Sequence, residues 1–177
     1  MLNLMLLRHA KSSWADAGQK DSDRPLNDRG RRAAAAVGRY MASNGLVPQL
    51  VLCSPAKRAK ETWGLVAGEL TTVPAILIVP EIYDFGDGKA LMDCLRRKAG
   101  VVQSVLLVGH NPSIGRLAQN LIGKGSNRLR ERLEKKYPTA ALAVISFDLD
   151  SWGSLTADSG KLLRFVTPKD IIGDTDD

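Results

Sequence analysis

The feature that most constrains the fold of this chain is the alternation of short, unbroken apolar segments with longer segments that carry apolar residues at helical spacing. A strand that is apolar at every position is typical of a parallel sheet with helices on both faces. The sequence therefore predicts a three-layer α/β/α sandwich with a mostly parallel central sheet. The predicted strands are Leu2–Leu7, Leu50–Cys53, Ala75–Val79, Ser104–Val108, Ala141–Leu149 and Leu162–Val166, and the predicted helices are Asn27–Asn44, Pro55–Leu70, Asp87–Ala99 and Pro112–Leu121.

The length of the chain and the spacing of its late strands indicate one unit. A chain of 177 residues is long enough for one sizeable core and short for two. No repeat or linker interrupts it, so residues 1–177 are predicted to form a single domain. Only Asp150–Lys161 separates the last two strands, which predicts an antiparallel hairpin at one edge of the sheet. The last few residues, which are acidic, are expected to fray.

Charge and hydropathy argue against two classes of partner. The net charge is +6, but the basic residues are dispersed and aromatic residues make up only 5% of the chain, so we do not expect nucleic-acid binding. The cations are interpreted mainly as solvated helix faces, and Arg128–Lys136 is interpreted as a surface helix or part of the substrate rim. The apolar start ends at Arg8, too early for a membrane span or a signal peptide, which predicts a cytoplasmic protein with no membrane partner.

Cysteine and histidine are too few for a metal site of the usual kinds. Cys53 and Cys94 form no CxxC pair, which disfavours a disulfide framework and a zinc-thiolate site. His9 and His110 are the only two histidines, which nearly excludes a site built from several imidazoles. The sequence therefore predicts neither a metal nor a cofactor.

Polar residues follow each of the first four predicted strands. In a sheet of this kind, ligands bind beyond the carboxyl ends of the strands. Two arginines and two histidines at one point would repel one another unless an anion lies between them. The pattern thus predicts a phosphate pocket, where a neutral imidazole can also attack phosphorus. The residues at this rim are Arg8, His9, Ser54, Arg58, Glu81, His110 and Asn111.

Each of these residues also has a plain structural interpretation. A histidine at a strand end is often a structural hydrogen-bond donor, and Arg58 and Glu81 can both face solvent. Gly109–Pro112 can be only a turn before a helix. The placement of all of them at consecutive strand ends is what favours the functional interpretation.

Three motifs in order resemble the histidine phosphatase superfamily, which includes phosphoglycerate mutases and acid phosphatases. Arg8-His9-Ala10 resembles the Arg-His-Gly signature, Ser54–Thr62 matches Ser-x-x-x-Arg-Ala-x-x-Thr, and Gly109-His110 resembles the second histidine motif. The stretches Leu7–Trp14 and Asp23–Gly30 are most similar to the short phosphohistidine phosphatases of the SixA type. The resemblance implies a phosphoglycerate mutase-like fold, and the short segment from Glu81 to Gln103 leaves no room for a large lid insertion.

The resemblance also implies a metal-independent mechanism and a role for each residue. His9 would be the nucleophile and form a phosphohistidine intermediate. Glu81 would be the general acid and then the general base, with Asp84 as the alternative. Alanine at position 10, where the family has glycine, would forbid the easiest positive-φ conformations and is interpreted as a mark of the subgroup. The phosphoryl oxygens would be bound by Arg8, Arg58 and His110, and the rest of the substrate by Lys11, Ser12, Arg24 and Asn111.

The function expected from the resemblance is that of a protein phosphohistidine phosphatase. The partner would be a phosphorylated protein or a small phosphorylated metabolite. Three alternatives remain open: a small-molecule phosphomonoesterase, a phosphoglycerate-type mutase and a non-catalytic phosphate-binding module. The mutase is disfavoured because the segments between strands are short, and the binding module is disfavoured because the motif residues are intact.

Overall fold

One seven-stranded sheet organises residues 1–173, the part of the chain that this computed structural model describes. The acidic residues that follow, which were expected to fray, lie outside the described residues. The strands are β1 (Leu2–Arg8), β2 (Leu50–Cys53), β3 (Ala75–Ile78), β4 (Ser104–Gly109), β5 (Ile122–Gly125), β6 (Leu142–Phe147) and β7 (Gly160–Val166), and the helices are α1 (Asp28–Ser43), α2 (Lys57–Ala67), α3 (Lys89–Lys98), α4 (Ser113–Leu121), α5 (Asn127–Lys135) and α6 (Pro168–Ile172).

The strand order is β3-β2-β4-β1-β6-β7-β5. The first four strands in this order run parallel to one another, which confirms the predicted parallel sheet. β6 runs antiparallel to both β1 and β7, so the predicted pairing of the last two strands is confirmed. Their predicted position at the edge is wrong, because β5 pairs with the outer side of β7.

β5 was not among the predicted strands because its sequence, Ile-Gly-Lys-Gly, has no strand-like apolar pattern. Its glycines are needed for close approach to the backbone of neighbouring segments. A Cβ atom on Gly123 would lie 2.1 Å from the carbonyl oxygen of Asp158.

Helices cover the sheet on both faces. Successive residues of β1 point to opposite faces, and because both sets are apolar, each face needs a covering layer. Leu4 and Leu6 belong to a buried cluster that includes residues of α3 and α4. Met5 and Leu7 belong to a second cluster, with residues of α1 and α2. Each fully buried leucine of this kind contributes about 2 kcal/mol of burial free energy. β3 departs from the pattern of buried strands, since all four of its residues are exposed at the edge of the sheet.

The start of α1 is packed tightly against the segment that follows β1. The Asn27 side chain caps the helix by accepting a hydrogen bond from the backbone N–H of Gly30, at 2.8 Å. A Cβ atom on Gly30 would lie 2.0 Å from the carbonyl oxygen of Lys11, so only glycine permits this approach. The contact fixes Lys11 beside the first turn of α1. Within residues 1–173, no helix is both long enough and apolar enough to cross a membrane.

Candidate active site

The parallel pairing of β1 with β4 brings the two histidines together. Arg8, at the end of β1, is in register with Gly109, at the end of β4. His9 and His110 therefore leave the sheet side by side, with their ring centroids 5.2 Å apart. β2 lies next to β4, and the helix that follows it places Arg58 against His110, with Nη2 3.4 Å from Nδ1.

His9 is held as a neutral imidazole with one nitrogen available. Its Nδ1 lies 2.7 Å from the carbonyl oxygen of Ala10. A carbonyl only accepts, so Nδ1 carries the proton and Nε2 keeps its lone pair. Burial, together with the positive charges of Arg58 and Arg8, lowers the pKa of His9 from 6.5 to about 4. His9 as a whole is only 7% exposed. At neutral pH this imidazole is therefore neutral, and its Nε2 is unprotonated.

His110 is also neutral, but both of its ring nitrogens have partners. Its Nδ1 accepts from Arg58, so its Nε2 carries the proton and donates to the hydroxyl of Ser54, at 2.7 Å. Burial lowers the pKa of His110 to about 3, and the neighbouring His9 and Arg58 act in the same direction. A phosphoryl dianion beside the two rings would act in the opposite direction and favour the imidazolium form.

Asp21 fixes the guanidinium of Arg58, which is only 2% exposed. Arg58 Nη1 donates to the backbone carbonyl of Asp21 at 2.7 Å, and Nη2 donates to its carboxylate at 3.0 Å. The same carboxylate accepts from the hydroxyl of Tyr83 and from Nε of Arg24. Partial burial opposes ionisation of Asp21, but the hydrogen bonds from Tyr83 and Arg58 prevail and lower its pKa to about 2.

Two buried donors at the site have no hydrogen-bond partner among the described residues. They are the Nε–H groups of Arg8 and Arg58. A buried donor left unpaired is costly, and more so on a charged group. Burial, and then the charge of Arg58, also lowers the pKa of Arg8. Two close guanidinium groups with free donors, beside two neutral imidazoles, are suited to binding a tetrahedral oxyanion such as phosphate.

The threonine that ends the Ser54–Thr62 motif joins the end of β1 to α2. The backbone N–H of Ala10 donates to the Thr62 hydroxyl at 3.0 Å, and that hydroxyl donates to the carbonyl of Arg58 at 2.7 Å. Ala10 is fully buried and does not have a positive φ, so alanine in place of glycine introduces no backbone strain here.

The residues expected to contact substrate are mostly hydrogen-bonded to other residues of the protein. Arg24 is buried, donates to the Ser12 hydroxyl at 2.6 Å and lies 3.6 Å above the centre of the Trp14 ring. Asn111 donates to the carbonyl of Tyr137 and accepts from the backbone of α4. Lys11 is exposed and lines a cavity next to Arg8.

Among the described residues, the two candidate acids interact with groups other than the two histidines. Glu81 is exposed. Burial, and after it the negative charge of Glu81, raises the pKa of the Cys94 thiol on α3 to about 11. Asp84 accepts from the backbone of Gly86 in its own loop. For residues 1–173, no hydrogen bond is recorded between either carboxylate and the imidazoles or guanidinium groups of the site. Their catalytic role therefore stays a prediction.

Three residues of the site were not found from the sequence. Asp21 lies in a polar loop without periodicity, and its contact with Arg58 spans 37 positions. The rings of Tyr83 and Phe85 pack against His110, with centroids 5.4 Å and 5.0 Å away. The sequence signal for Tyr83 and Phe85 was their position after β3. In that segment the sequence analysis selected the carboxylates of Glu81 and Asp84 instead. No group of three or more metal-ligating side chains occurs in the described part of the chain.

We expect the free energy of unfolding to decrease as the pH falls from about 6.5 to about 4. The folded protein keeps both imidazoles neutral down to about pH 4, whereas the unfolded chain protonates them near pH 6.5. The unfolded state therefore binds more protons in this range, at a cost to stability on the order of 2 kcal/mol for each imidazole at pH 5. Urea unfolding near pH 7 and pH 5 measures the change. His9→Asn should show about half of this pH dependence, and an unchanged slope would contradict the assignment.

Comparison with known proteins identifies the family. The family model described as "Histidine phosphatase superfamily (branch 1)" matches residues 4–84, a segment that contains Arg8, His9 and Arg58. An uncharacterized protein of Mycobacterium tuberculosis is 32% identical over 92% of this chain and 100% of its own length. A 2,3-bisphosphoglycerate-dependent phosphoglycerate mutase of Beijerinckia indica is 28% identical over 91% of this chain and 77% of the mutase.

The fold also matches a solved structure over nearly its whole length. The crystal structure assigned to a phosphohistidine phosphatase SixA of Agrobacterium tumefaciens superposes with a TM-score of 0.79 and 29% identity. The match covers 94% of this chain and 98% of that one. The similarity therefore includes the second half of the chain, which supplies His110.

Proposed function

This chain belongs to the histidine phosphatase superfamily, and from that premise we propose that it is a metal-independent phosphatase that hydrolyses phosphohistidine in proteins through a phosphohistidine intermediate on His9. The observation that carries the proposal is the state of His9. Its Nε2 is unprotonated at neutral pH and lies in a buried site with the unpaired donors of Arg8 and Arg58.

In the first step, the Nε2 lone pair of His9 attacks phosphorus. A P–N bond forms to His9 while the bond from phosphorus to the leaving group breaks, and the leaving group takes up a proton. Arg8 and Arg58 bind the phosphoryl oxygens, and His110, which the bound dianion favours in its imidazolium form, adds positive charge beside them. Together these groups stabilise the charge of the transition state. The guanidinium groups take the neutralising role that a metal ion has in other phosphatases.

In the second step, a water molecule attacks the phosphorylated His9. The P–N bond breaks, the electron pair returns to Nε2, and the water proton passes to a general base. Glu81 is our candidate for this base and for the earlier acid, with Asp84 as the alternative. Lys11, Ser12, Arg24 and Asn111 are proposed to position the substrate.

Two observations favour phosphohistidine over an alkyl phosphate. First, neither candidate acid forms a hydrogen bond with the imidazoles or guanidinium groups of the site among the described residues. Imidazole is a better leaving group than an alkoxide, so its departure depends less on a positioned acid. Second, the A. tumefaciens structure that this chain resembles is assigned to a phosphohistidine phosphatase.

The mutase alternative is disfavoured by the length of the connecting segments. The mutase relative is longer than the aligned region, and only a short segment joins β3 to α3 here, which argues against an added lid.

The proposal is tested by assaying one preparation on four substrates, with and without EDTA. We expect kcat/KM for a phosphohistidine peptide to exceed that for the matched phosphoserine peptide by about tenfold or more, equivalent to about 1.4 kcal/mol. p-Nitrophenyl phosphate should also be hydrolysed, and 3-phosphoglycerate should not be isomerised in a coupled assay. Loss of activity in EDTA, preference for phosphoserine, or isomerisation would each refute the proposal.

A further inference from the structure

A cavity beside the site gathers basic side chains from four separate parts of the chain. Its volume is about 490 Å³. No acidic residue of the described chain lines it. The cavity is walled elsewhere by Ala33, Pro138 and Thr139, together with Thr167 and Pro168 at the start of α6. The cations along it, which together define the basic groove, are Arg8, Lys11, Arg29, Lys136 and Lys169.

The basic groove continues in both directions from its central cavity. On one side, a cavity of about 200 Å³ shares Arg29 and Lys169 with it and adds Arg32. On the other side, a cavity of about 380 Å³ shares Arg8 and Lys136 with it and adds Arg116 and Lys135. Among the described residues, Glu134 is the one acidic residue that lines this cavity. Arg8, whose buried Nε has no hydrogen-bond partner, lines both the central cavity and this one and thus belongs to the groove as well as to the proposed phosphoryl site.

Folding, rather than local sequence, creates this concentration of charge. Lys11 follows β1, Arg29 lies in the first turn of α1, and Lys136 follows α5. The glycine contact of Gly30 with the Lys11 carbonyl brings the first two together. The basic residues are therefore dispersed along the sequence, as interpreted above, but several of them are concentrated on this face of the folded protein. Like charges held together favour an anionic ligand.

We propose that the basic groove binds an acidic polypeptide segment next to the phosphorylated residue of the substrate protein. This rests on the proposed function, since it assumes a protein substrate. A small metabolite with a second anionic group would need only one cluster of cations. The cations of the basic groove instead extend through three adjoining cavities. The carboxylates of an extended chain, spaced along its backbone, match that distribution. Because Arg8 is shared, the acidic segment and the phosphoryl group are bound side by side.

The test compares two phosphohistidine peptides that differ only in flanking Asp and Glu, replaced by Asn and Gln in the second. We expect the wild type to prefer the acidic peptide in kcat/KM. The double variant Arg29→Ala/Lys136→Ala should lose about fivefold to tenfold of that preference. Its rate on p-nitrophenyl phosphate should stay within about twofold of wild type. The matched control, Lys124→Ala/Lys161→Ala, removes the same charge from exposed positions on β5 and β7 and should keep the preference.

Binding of an unphosphorylated Glu-rich peptide, followed by fluorescence anisotropy, separates this inference from the proposed function. If the wild type hydrolyses both phosphohistidine peptides equally well, the groove proposal is wrong and the proposed function stands. If it hydrolyses neither, but binds the Glu-rich peptide in a way that needs Arg29 and Lys136, the proposed function is wrong and the groove stands. Equal losses in the double variant and the control would also overturn the proposal. If the double variant does not fold, Lys136→Ala alone supplies the comparison.

Discussion

Replacing His9 with alanine is expected to abolish turnover, with kcat/KM for p-nitrophenyl phosphate reduced by about four orders of magnitude or more. No other described group near the site can replace this nucleophile. Both ring nitrogens of His110 are committed, one to Ser54 and one to Arg58. The thiol of Cys53 stays protonated, because burial raises its pKa to about 12. The loss should therefore appear in the chemical step.

Two further measurements show whether His9→Ala acts as proposed. Wild-type protein quenched during turnover should carry phosphate in an alkali-stable, acid-labile linkage, and the variant should carry none. Tungstate binding by calorimetry should persist in the variant, since Arg8 and Arg58 remain. Activity near the wild-type level in His9→Ala, or label on a different residue, would disprove the mechanism.

The second large effect is expected at Arg58, whose replacement by alanine should cost about 3 kcal/mol of transition-state stabilisation, or roughly a hundredfold in kcat/KM. Asp21 holds Nη1 and Nη2 of this side chain, which leaves Nε unpaired and available to a phosphoryl oxygen. Arg58→Lys should recover only a small part of the loss, because one ammonium group cannot pair with Asp21 and present a planar donor to phosphate as well.

Arg39 supplies the matched control for Arg58. It also lies on a helix, but it is exposed and pairs with Glu69 across the surface. Arg39→Ala should leave kcat/KM unchanged within about twofold, since exposed ion pairs contribute little. Because Arg58 is buried, thermal unfolding of each variant must accompany the kinetics, so that a loss of folded protein is not read as a loss of catalysis. Equal activity of Arg58→Ala and Arg39→Ala would rule out the assigned role.

The parts of the fold that could be predicted are those whose signal is local. Unbroken apolar runs predicted β1, β2 and β4 and their parallel pairing. β5 was missed because glycines replace apolar residues there, and the exposure of β3 was missed because the same Ile and Leu residues suit a buried or an edge strand.

The sequence by itself determined the class of the fold, the motif residues and the order in which they occur. The class of the fold follows from the spacing of apolar residues along the chain. The motif residues were identified by their resemblance to a known family, which likewise needs no knowledge of how the chain packs. Only the tertiary structure decided that Asp21 holds Arg58 and that cations far apart in the chain share one groove. The physical reason is that such contacts depend on how whole strands and helices pack, and no local pattern along the chain records that packing.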